Sequence, residues 1–452
     1  MASGKPDSEA HSSEEARYPS GAYAWYVVAV LMTVYIFSFV DRQLLALLVK
    51  PIKADLGLSD TQMSYLLGFS FALFYTLLGV PLGRLADTRS RRTLIAAGLG
   101  LWSVMTLGCG LAHRYWQLFL ARMGVGVGEA TLSPAAYSLI ADYFPPRRLA
   151  LAISVYGMGI YLGAGIAYAL GGTIVSRLIA HGGLTLPIVG TLRAWQAAFI
   201  MVGLPGLLFA GMLYTVREPL RRGLKGAPAS VAPVGEVIRY FRTHWAAITC
   251  HNLGFALLSF VGWANFSWIP AFFQRTYGWT AAETGWRYGG VIFVFGSLGI
   301  LAGGFLADCL AARGYRDARV RAGVAAALIN CPFALLYPLM PNGASALVLV
   351  APTTFAVAMA FGTAPAAIQE MMPNTMRGQA SAVYLFAINF IGLGGAPTAV
   401  AWCTDYLFQD EHCLGYSLAL VGFPACVLSA VVLAAGLRPF RRALEALTGK
   451  AA

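Results

Sequence analysis

Long apolar runs separated by short polar stretches dominate the chain. Each run is about 20 residues or longer, which at 1.5 Å rise per residue is enough for a helix to cross the hydrocarbon core of a bilayer. Short alternating strands, the mark of a membrane barrel, are not apparent. The pattern predicts twelve transmembrane helices, at about 23–50, 60–86, 93–113, 116–142, 149–175, 194–217, 245–272, 283–309, 320–340, 344–370, 376–402 and 416–437. The fold class is therefore an all-α membrane protein.

The twelve spans form two halves that repeat each other. A shift of 221 positions lays Gly57–Asp87 on Gly278–Asp308 without a gap, and a shift of 231 later lays Pro134 on Pro365. The only long internal loop falls between the sixth and seventh spans. The predicted domains are a disordered cytoplasmic tail (1–22), a six-helix bundle (23–217), a cytoplasmic linker (218–244), a second six-helix bundle (245–437) and a cytoplasmic tail (438–452).

Four ionisable residues lie at membrane depth in the first half. Asp41 and Arg42 are adjacent in the first span, and Arg122 and Glu129 are two turns apart on one face of the fourth. Each charge there costs roughly 2.5–3.5 kcal/mol, so such residues usually have a function. Adjacent helical side chains point about 100° apart, so Asp41 and Arg42 are each expected to reach the fourth span. The repeat puts uncharged residues at these four positions of the second half: Gly262, Trp263, Thr353 and Ala360.

The four charges sum to zero when all are ionised, and protonation of one carboxylate would leave an uncompensated cation. We therefore predict that Asp41 and Glu129 respond to protons, with Arg42 and Arg122 as counter-charges. The alternative is a static network that holds the first span to the fourth.

A second charged set lies in the loops of the first half. The loop after the second span contains Gly83, Asp87, Arg91 and Arg92, and the next loop on the same side contains Asp142 and Arg147. A carboxylate at a helix end beside guanidinium groups can bind a neighbouring helix N-terminus and stabilise one conformation. These six residues are the predicted cytoplasmic gate latch. The alternative, an ordinary basic loop, does not explain why Gly304–Asp308 repeats Gly83–Asp87.

Polar and aromatic residues without charge occupy the candidate cavity wall. The predicted wall residues are Tyr156 and Tyr161 in the fifth span, Ser259, Trp263 and Asn265 in the seventh, and Asn389 in the eleventh. A charged wall opposite a neutral, bulky one suits an amphipathic substrate whose headgroup lies near the arginines. The alternative is that these aromatic residues pack within the protein or face lipid, and do not line a cavity.

Composition and charge narrow the function further. The 452 residues are 58% hydrophobic and 12% charged, with a net charge of +12. Roughly 23 of the 32 Lys and Arg lie in loops and tails on one side, which predicts that both termini are cytoplasmic. The positive net charge is thus explained by membrane topology and by attraction to anionic lipid headgroups, and no nucleic acid partner is expected. The first apolar segment reads as a span rather than a signal peptide, in keeping with a multi-pass protein of the inner or plasma membrane.

Motifs for enzymatic chemistry are missing from the sequence. It has no nucleophile elbow, no His-Glu-x-x-His and no P-loop, and its seven cysteines match no metal spacing. We therefore expect no catalytic residues, no metal, no cofactor and no ATP-driven pumping. A lipid-modifying enzyme or a sensor would need a metal cluster, a nucleophile or an added soluble domain, and the sequence shows none of these.

The chain resembles the Spinster family of the major facilitator superfamily, here as a bacterial homologue, over residues 22–437. The resemblance rests on Asp41-Arg42, on Gly83–Arg92, on Arg122–Ala130 with Pro134, and on Arg193–Phe199. Ser90 stands where the superfamily loop usually has glycine. The family implies two pseudo-symmetric six-helix bundles and secondary transport of lysophospholipid or sphingolipid-type amphiphiles, with proton coupling in some members. It also implies that Asp41, Arg42, Arg122 and Glu129 form the functional cluster.

Two other transporter classes remain open. Anion:proton symporters for sugar acids have a similar Asp-Arg on the first helix and Arg…Gly-x-Glu-Ala on the fourth, and a multidrug efflux transporter is the third reading. A monomer is the expected oligomeric state for all three.

Overall fold

The computed structural model describes residues 21–187, 190–219, 233–373 and 375–448. The predicted tail 1–22 and the middle of the linker lie almost wholly outside this part of the chain. A few side chains within the helices also lie outside it, including those of Asp87 and Arg147.

The N-terminal bundle contains six crossings. Its elements are α1 Gly21–Leu47, α2 Val49–Leu56, α3 Asp60–Ser64, a π-helical turn Tyr65–Phe69, α4 Ser70–Thr88, α5 Arg91–Gly110, α6 Tyr115–Glu129, α7 Leu132–Tyr143, α8 Pro146–Ala180, strands β1 Leu184–Leu186 and β2 Gly190–Leu192, and α9 Ala194–Met212. The strands pair antiparallel in a short hairpin before α9. Within the bundle, α1 packs along α8, and α5 packs along α9.

The C-terminal bundle repeats this plan after a short linker helix. Its elements are α10 Val234–Thr243 in the linker, α11 Trp245–Thr276, α12 Ala281–Val291, a π-helical turn Ile292–Gly296, α13 Ser297–Ala312, α14 Ala318–Leu336, α15 Gly343–Glu370, α16 Arg377–Ala387, a π-helical segment Ile388–Gly395, α17 Ala396–Trp402, a π-helical turn Cys403–Phe408, and α18 Leu414–Thr448.

Eleven helical segments of the described chain are long and apolar enough to cross a membrane. The fourth of the twelve predicted crossings is built instead from the shorter α6 and α7. The break between them follows from Pro134, which has no N–H to donate to the carbonyl of Ala130. The Thr131 N–H and hydroxyl bind the Gly128 carbonyl at the break, at 3.3 and 2.9 Å. The predicted all-α fold with twelve crossings is confirmed.

The repeat inferred from the sequence is visible in the backbone. Gly57 and Gly278, which the 221-residue shift aligns, have φ of +65° and +68°, a left-handed conformation that favours glycine. Ser59 and Thr280, also aligned, each cap the following helix through the side-chain oxygen. Both halves therefore enter their second crossing through the same turn.

The last helix is longer than predicted. The sequence placed a tail at 438–452, but α18 continues to Thr448. Phe440 and Ala443 are buried in this extension, and Arg441 Nε lies 3.6 Å from Asp317 Oδ2. These contacts explain why the helix does not stop after residue 437.

The bundles meet most tightly at the end opposite the linker. We call the end where α10 lies the linker face and the opposite end the distal face. There α8 of the first bundle packs on α12 of the second. A Cβ added to Gly285 would lie 2.0 Å from the Tyr168 carbonyl oxygen, and one at Gly172 would lie 2.3 Å from the Ala281 carbonyl oxygen. The close approach of these two helices depends on glycine.

Candidate functional site

The four intramembrane charges form two pairs between the first and fourth crossings. Arg42 Nε donates to Glu129 Oε2 at 2.6 Å. Arg122 Nη1 lies 3.7 Å from Asp41 Oδ1. Each member of the adjacent Asp41-Arg42 pair thus reaches across to α6, in the geometry expected from their divergent directions on α1.

Hydroxyl groups complete the two pairs. Ser38 Oγ donates to the same Glu129 oxygen at 2.6 Å, and the Thr106 hydroxyl of α5 donates to Asp41. Ser38 lies one turn before Arg42, so helical spacing alone could have identified it. Thr106 could not be identified in this way, because its position depends on how α5 is rotated against α1.

Burial makes these pairs interdependent. Asp41, Arg122 and Glu129 are each 1% exposed, and the Arg42 side chain is 9% exposed. Removing one partner of a buried pair typically costs about 3–5 kcal/mol, because the other charge is left uncompensated. A change in the protonation of either carboxylate would therefore act on the packing of α1 against α6.

Aromatic rings surround the Arg42 guanidinium. Its Cζ lies 4.2 Å from the ring centre of Phe71, 5.0 Å from that of Tyr75 and 5.1 Å from that of Phe39. Rings within about 6 Å attract a cation and replace part of its lost hydration.

Several polar atoms of this cluster have no hydrogen-bond partner. They are Arg122 Nε and Nη1, Asp41 Oδ1 and Glu129 Oε1. Unpaired donors on a buried guanidinium are costly, and a ligand with acceptor oxygens would satisfy them.

A cavity, about 310 Å³ when the adjoining open space is included, lies between the bundles beside these groups. Its N-terminal wall includes Arg42, Gln43 and Arg122, and its C-terminal wall includes Trp263, Ser267 and Leu393. Two guanidinium groups thus face a neutral aromatic and aliphatic wall. The sequence had identified Arg42, Arg122 and Trp263 but had not singled out Gln43 or Leu393.

The other predicted wall residues lie elsewhere. Ser259 lines a smaller cavity of about 220 Å³ with Phe255 and Tyr384 in the C-terminal bundle. Tyr156 is buried and stacks on Tyr35, with ring centres 4.6 Å apart. Neither Tyr156 nor Asn389 lines either cavity.

Tyr161 and Asn265 also line neither cavity. Tyr161 is buried against Phe266 and Phe361. Asn265, predicted in the cavity wall, instead accepts a hydrogen bond from the Tyr337 hydroxyl at 2.8 Å within the C-terminal bundle.

Two of the predicted latch residues, Arg91 and Asp142, meet at the linker face. Arg91 Nη1 donates to Asp142 Oδ2 at 2.5 Å, and Arg92 Nη1 donates to the Val216 carbonyl at 3.1 Å. The predicted partners Asp87 and Arg147 have side chains outside the described part of the chain. A Cβ on Gly83 would meet Pro134 at 3.9 Å, an ordinary contact, so sterics do not require this glycine.

Glu218 binds two of the predicted latch residues, and the sequence did not identify it. Its carboxylate accepts from Arg91 Nε at 2.8 Å, from the Ser90 hydroxyl at 2.9 Å and from the Arg92 N–H at 3.0 Å. Burial would raise the pKa of Glu218, but these donors outweigh burial and hold the pKa below its usual value. Glu218 thereby caps the N-terminus of α5.

A cluster of charges at the distal face was likewise not predicted. Lys53 Nζ lies 2.5 Å from Asp60 Oδ1 and 2.7 Å from Glu411 Oε1, and Asp60 also pairs with Arg275. The Thr61 N–H donates to Asp405 Oδ2 at 2.6 Å. These contacts join the N-terminal bundle to the C-terminal one and close the distal face.

Two repeated helical bundles around a central cavity with buried ionisable groups define a secondary transporter, which works by alternating access. The chain belongs to the Major Facilitator Superfamily, whose family model matches residues 31–397. In the described part of the chain, no group of three or more His, Cys, Asp or Glu side chains is placed to hold a metal ion.

Known proteins similar to this chain are transporters. An MFS-type efflux pump of Mycolicibacterium smegmatis is 32% identical over 88% of this chain and 89% of its own length. A probable L-galactonate transporter of Escherichia coli is 25% identical over 88% of this chain and 85% of its own length. The expectation of a transporter rather than an enzyme is confirmed by these relatives.

The structural comparison points to Spinster. A crystal structure of a bacterial homologue of the human lysosomal transporter Spinster, inward-facing and unoccupied, superposes with a TM-score of 0.75 at 27% identity. The match covers 96% of this chain and 99% of that chain. The resemblance to Spinster that the motifs predicted is confirmed over the whole fold.

Proposed function

We propose that this protein moves amphipathic lipids of the lysophospholipid or sphingolipid type across the membrane, coupled to protons. The observation that carries the proposal is the asymmetry of the central cavity. Arg42 and Arg122 offer an anionic headgroup two guanidinium groups, and two nitrogens of Arg122 have no hydrogen-bond partner. Trp263 and Leu393 offer the apolar part of the substrate a neutral wall opposite.

Proton coupling in this proposal relies on Asp41 and Glu129. Both carboxylates are buried beside the cavity arginines, and each has one oxygen without a hydrogen-bond partner. Protonation of Glu129 would release Arg42 from its ion pair and make that guanidinium available to a substrate anion. Substrate and proton would then act on the same cation.

A second candidate is a proton symporter for small sugar acids. Sequence similarity to a probable L-galactonate transporter favours it. The two arginines would then hold the substrate carboxylate itself. The similarity to an efflux pump keeps drug export as a third candidate.

Orientation and assembly complete the proposal. The linker face carries most of the basic residues, so we assign it to the cytoplasm and both termini with it. The closed distal face is then the outer one. We propose a monomer in the inner or plasma membrane.

Substrate binding by purified protein in nanodiscs tests the proposal. Lysophosphatidylglycerol and galacturonate are titrated at pH 5.5 and 7.5 into the native protein, into Arg122→Gln and into Arg114→Gln. Arg114 is the control, because it is exposed in a loop. Saturable lysolipid binding that Arg122→Gln alone abolishes supports the lipid proposal. Galacturonate binding with indifference to lysolipid contradicts it and favours the sugar-acid candidate.

A further inference from the structure

We propose that the Tyr168 hydroxyl takes the place of a backbone N–H that α11 lacks and thereby holds the distal face closed. Tyr168 lies on α8 of the N-terminal bundle, and its Oη donates to the Phe266 carbonyl of the C-terminal bundle at 2.5 Å. In a regular helix that carbonyl would accept from the N–H four residues later. Position 270 is proline, which has no N–H to give.

The environment makes this hydrogen bond hard to replace. Tyr168 is fully buried, and its ring centre lies 5.1 Å from that of Tyr288. A buried carbonyl without a hydrogen-bond partner destabilises the protein, because it has lost its hydration and gained no replacement. When the bundles part at the distal face, water can reach both groups, and the bond is no longer needed. The bond therefore stabilises the closed distal face and not the open one.

The hydrogen-bonded chain continues to the central cavity. Gln43, which lines that cavity, has its side-chain amide 2.8 Å from the Tyr168 hydroxyl. A phenol has a single proton, so a hydroxyl that donates to Phe266 can only accept from Gln43. Gln43 Oε1 is the atom that faces Tyr168, and turning the amide by 180° so that its nitrogen faces the hydroxyl satisfies both contacts. Tyr168 thus joins the cavity wall to the α11 carbonyl that Pro270 leaves without a helical donor.

A within-bundle tyrosine provides a matched control. The Tyr288 hydroxyl donates to the Asn265 carbonyl at 3.3 Å, but both residues belong to the C-terminal bundle. Tyr288→Phe removes the same group from the same pair of rings without touching the contact between bundles. It should leave the balance between open and closed distal faces unchanged.

The test measures that balance without any substrate, so it does not depend on what the protein transports. Spin labels at His113 and Ala344, exposed distal positions on the two bundles, report the separation in a background whose native cysteines are replaced. We expect Tyr168→Phe to raise the ratio of open to closed protein about tenfold, which corresponds to the loss of one buried hydrogen bond. Tyr288→Phe is expected to change the ratio less than about twofold, since its bond does not cross between the bundles.

A second substitution separates the proposed role from general packing. Pro270→Ala supplies a backbone N–H that can donate to the Phe266 carbonyl. Tyr168→Phe should then shift the ratio far less in the Pro270→Ala background than in the native one. An equal shift in both backgrounds, or no shift in either, would overturn the proposal.

The double variant keeps the proposal testable if Tyr168→Phe alone does not fold. Should Tyr168→Phe alone not fold, we expect the Tyr168→Phe, Pro270→Ala protein to fold, because it leaves the Phe266 carbonyl paired. Failure of the double variant as well would show that the hydroxyl is required for something other than this carbonyl, and would contradict the proposal.

Discussion

Asp60 and Arg275 form a two-point ion pair that joins the two bundles at the distal face. Arg275 Nη1 donates to Asp60 Oδ2 at 2.6 Å, and Arg275 Nη2 donates to Asp60 Oδ1 at 2.7 Å. The Asp60 side chain has no exposed surface, and that of Arg275 is 8% exposed. A buried two-point pair combines charge with a fixed geometry, so it holds α3 against α11 in one arrangement.

We expect Asp60→Asn to open the distal face. The substitution removes the buried carboxylate and leaves Arg275 and Lys53 close together with only the exposed Glu411 carboxylate near both, and this excess of positive charge favours separation. The ratio of open to closed protein should rise at least about tenfold, measured by the distance between labels at His113 and Ala344.

Glu411→Gln is the control for this prediction. Glu411 also binds Lys53, but its side chain is 58% exposed, and exposed pairs contribute about 0–1 kcal/mol. It should change the ratio little. A shift as large as that of Asp60→Asn would mean that net charge, rather than the buried pair, sets the balance.

The glycine contact between α8 and α12 gives a second prediction. A Cβ at position 285 would lie 2.0 Å from the Tyr168 carbonyl oxygen, whereas nothing lies within 4 Å of one at Gly290. Gly285→Ala should therefore prevent full closure of the distal face and slow transport by about tenfold or more, since rigid backbones cannot yield by this much. Gly290→Ala should transport at the native rate. Equal rates for both variants would show that α8 and α12 need not approach so closely during transport.

The charged cluster could be predicted from the sequence because it follows from helix geometry. Asp41 and Arg42 point in different directions from one helix, while Arg122 and Glu129 share one face of another. Two ion pairs between the helices therefore neutralise all four charges. The apolar runs likewise predicted twelve crossings, of which eleven are long apolar helical segments in the described chain. The end of the last helix was not predicted, because it depends on a local contact: the buried side chain of Phe440 lies beyond the apolar run from which the span was inferred.

The distal contacts could not be predicted in the same way. Asp60 and Arg275 are 215 residues apart and lie at span ends, where a charge is usually solvated. Tyr168 and Gln43 gain their roles from the rotation of α8 and α1 about their axes, which apolar periodicity does not fix when a helix is hydrophobic on all sides. The sequence therefore did not predict the polar contacts between the bundles, even where it predicted the positions of the helices correctly.

Glu218 offers a test at the linker face. Because its pKa is lowered in the folded protein, the carboxylate contributes stability that is complete above its usual pKa and is lost as pH falls through the folded-state value. Glu218→Gln should lower the thermal unfolding temperature by a few degrees at neutral pH, and the two proteins should converge in strong acid. Glu236→Gln, at an exposed position on α10, should match the native protein throughout. A deficit for Glu218→Gln that persists unchanged in acid would mean that its charge does not stabilise the latch.

Glu129→Gln tests whether the central cluster couples transport to protons. The glutamine oxygen can still accept from Arg42 and Ser38, which both donate to Glu129 Oε2 in the native protein, so the contact geometry is largely kept. What the variant loses is the ability to change charge. We expect its transport rate to become nearly independent of pH between 5.5 and 7.5, while Glu283→Gln, in an exposed ion pair with Arg287, keeps the native profile. A native profile in Glu129→Gln would instead assign the cluster to holding α1 against α6, because a carboxylate that carries protons during transport cannot be replaced by an amide without changing the response to pH.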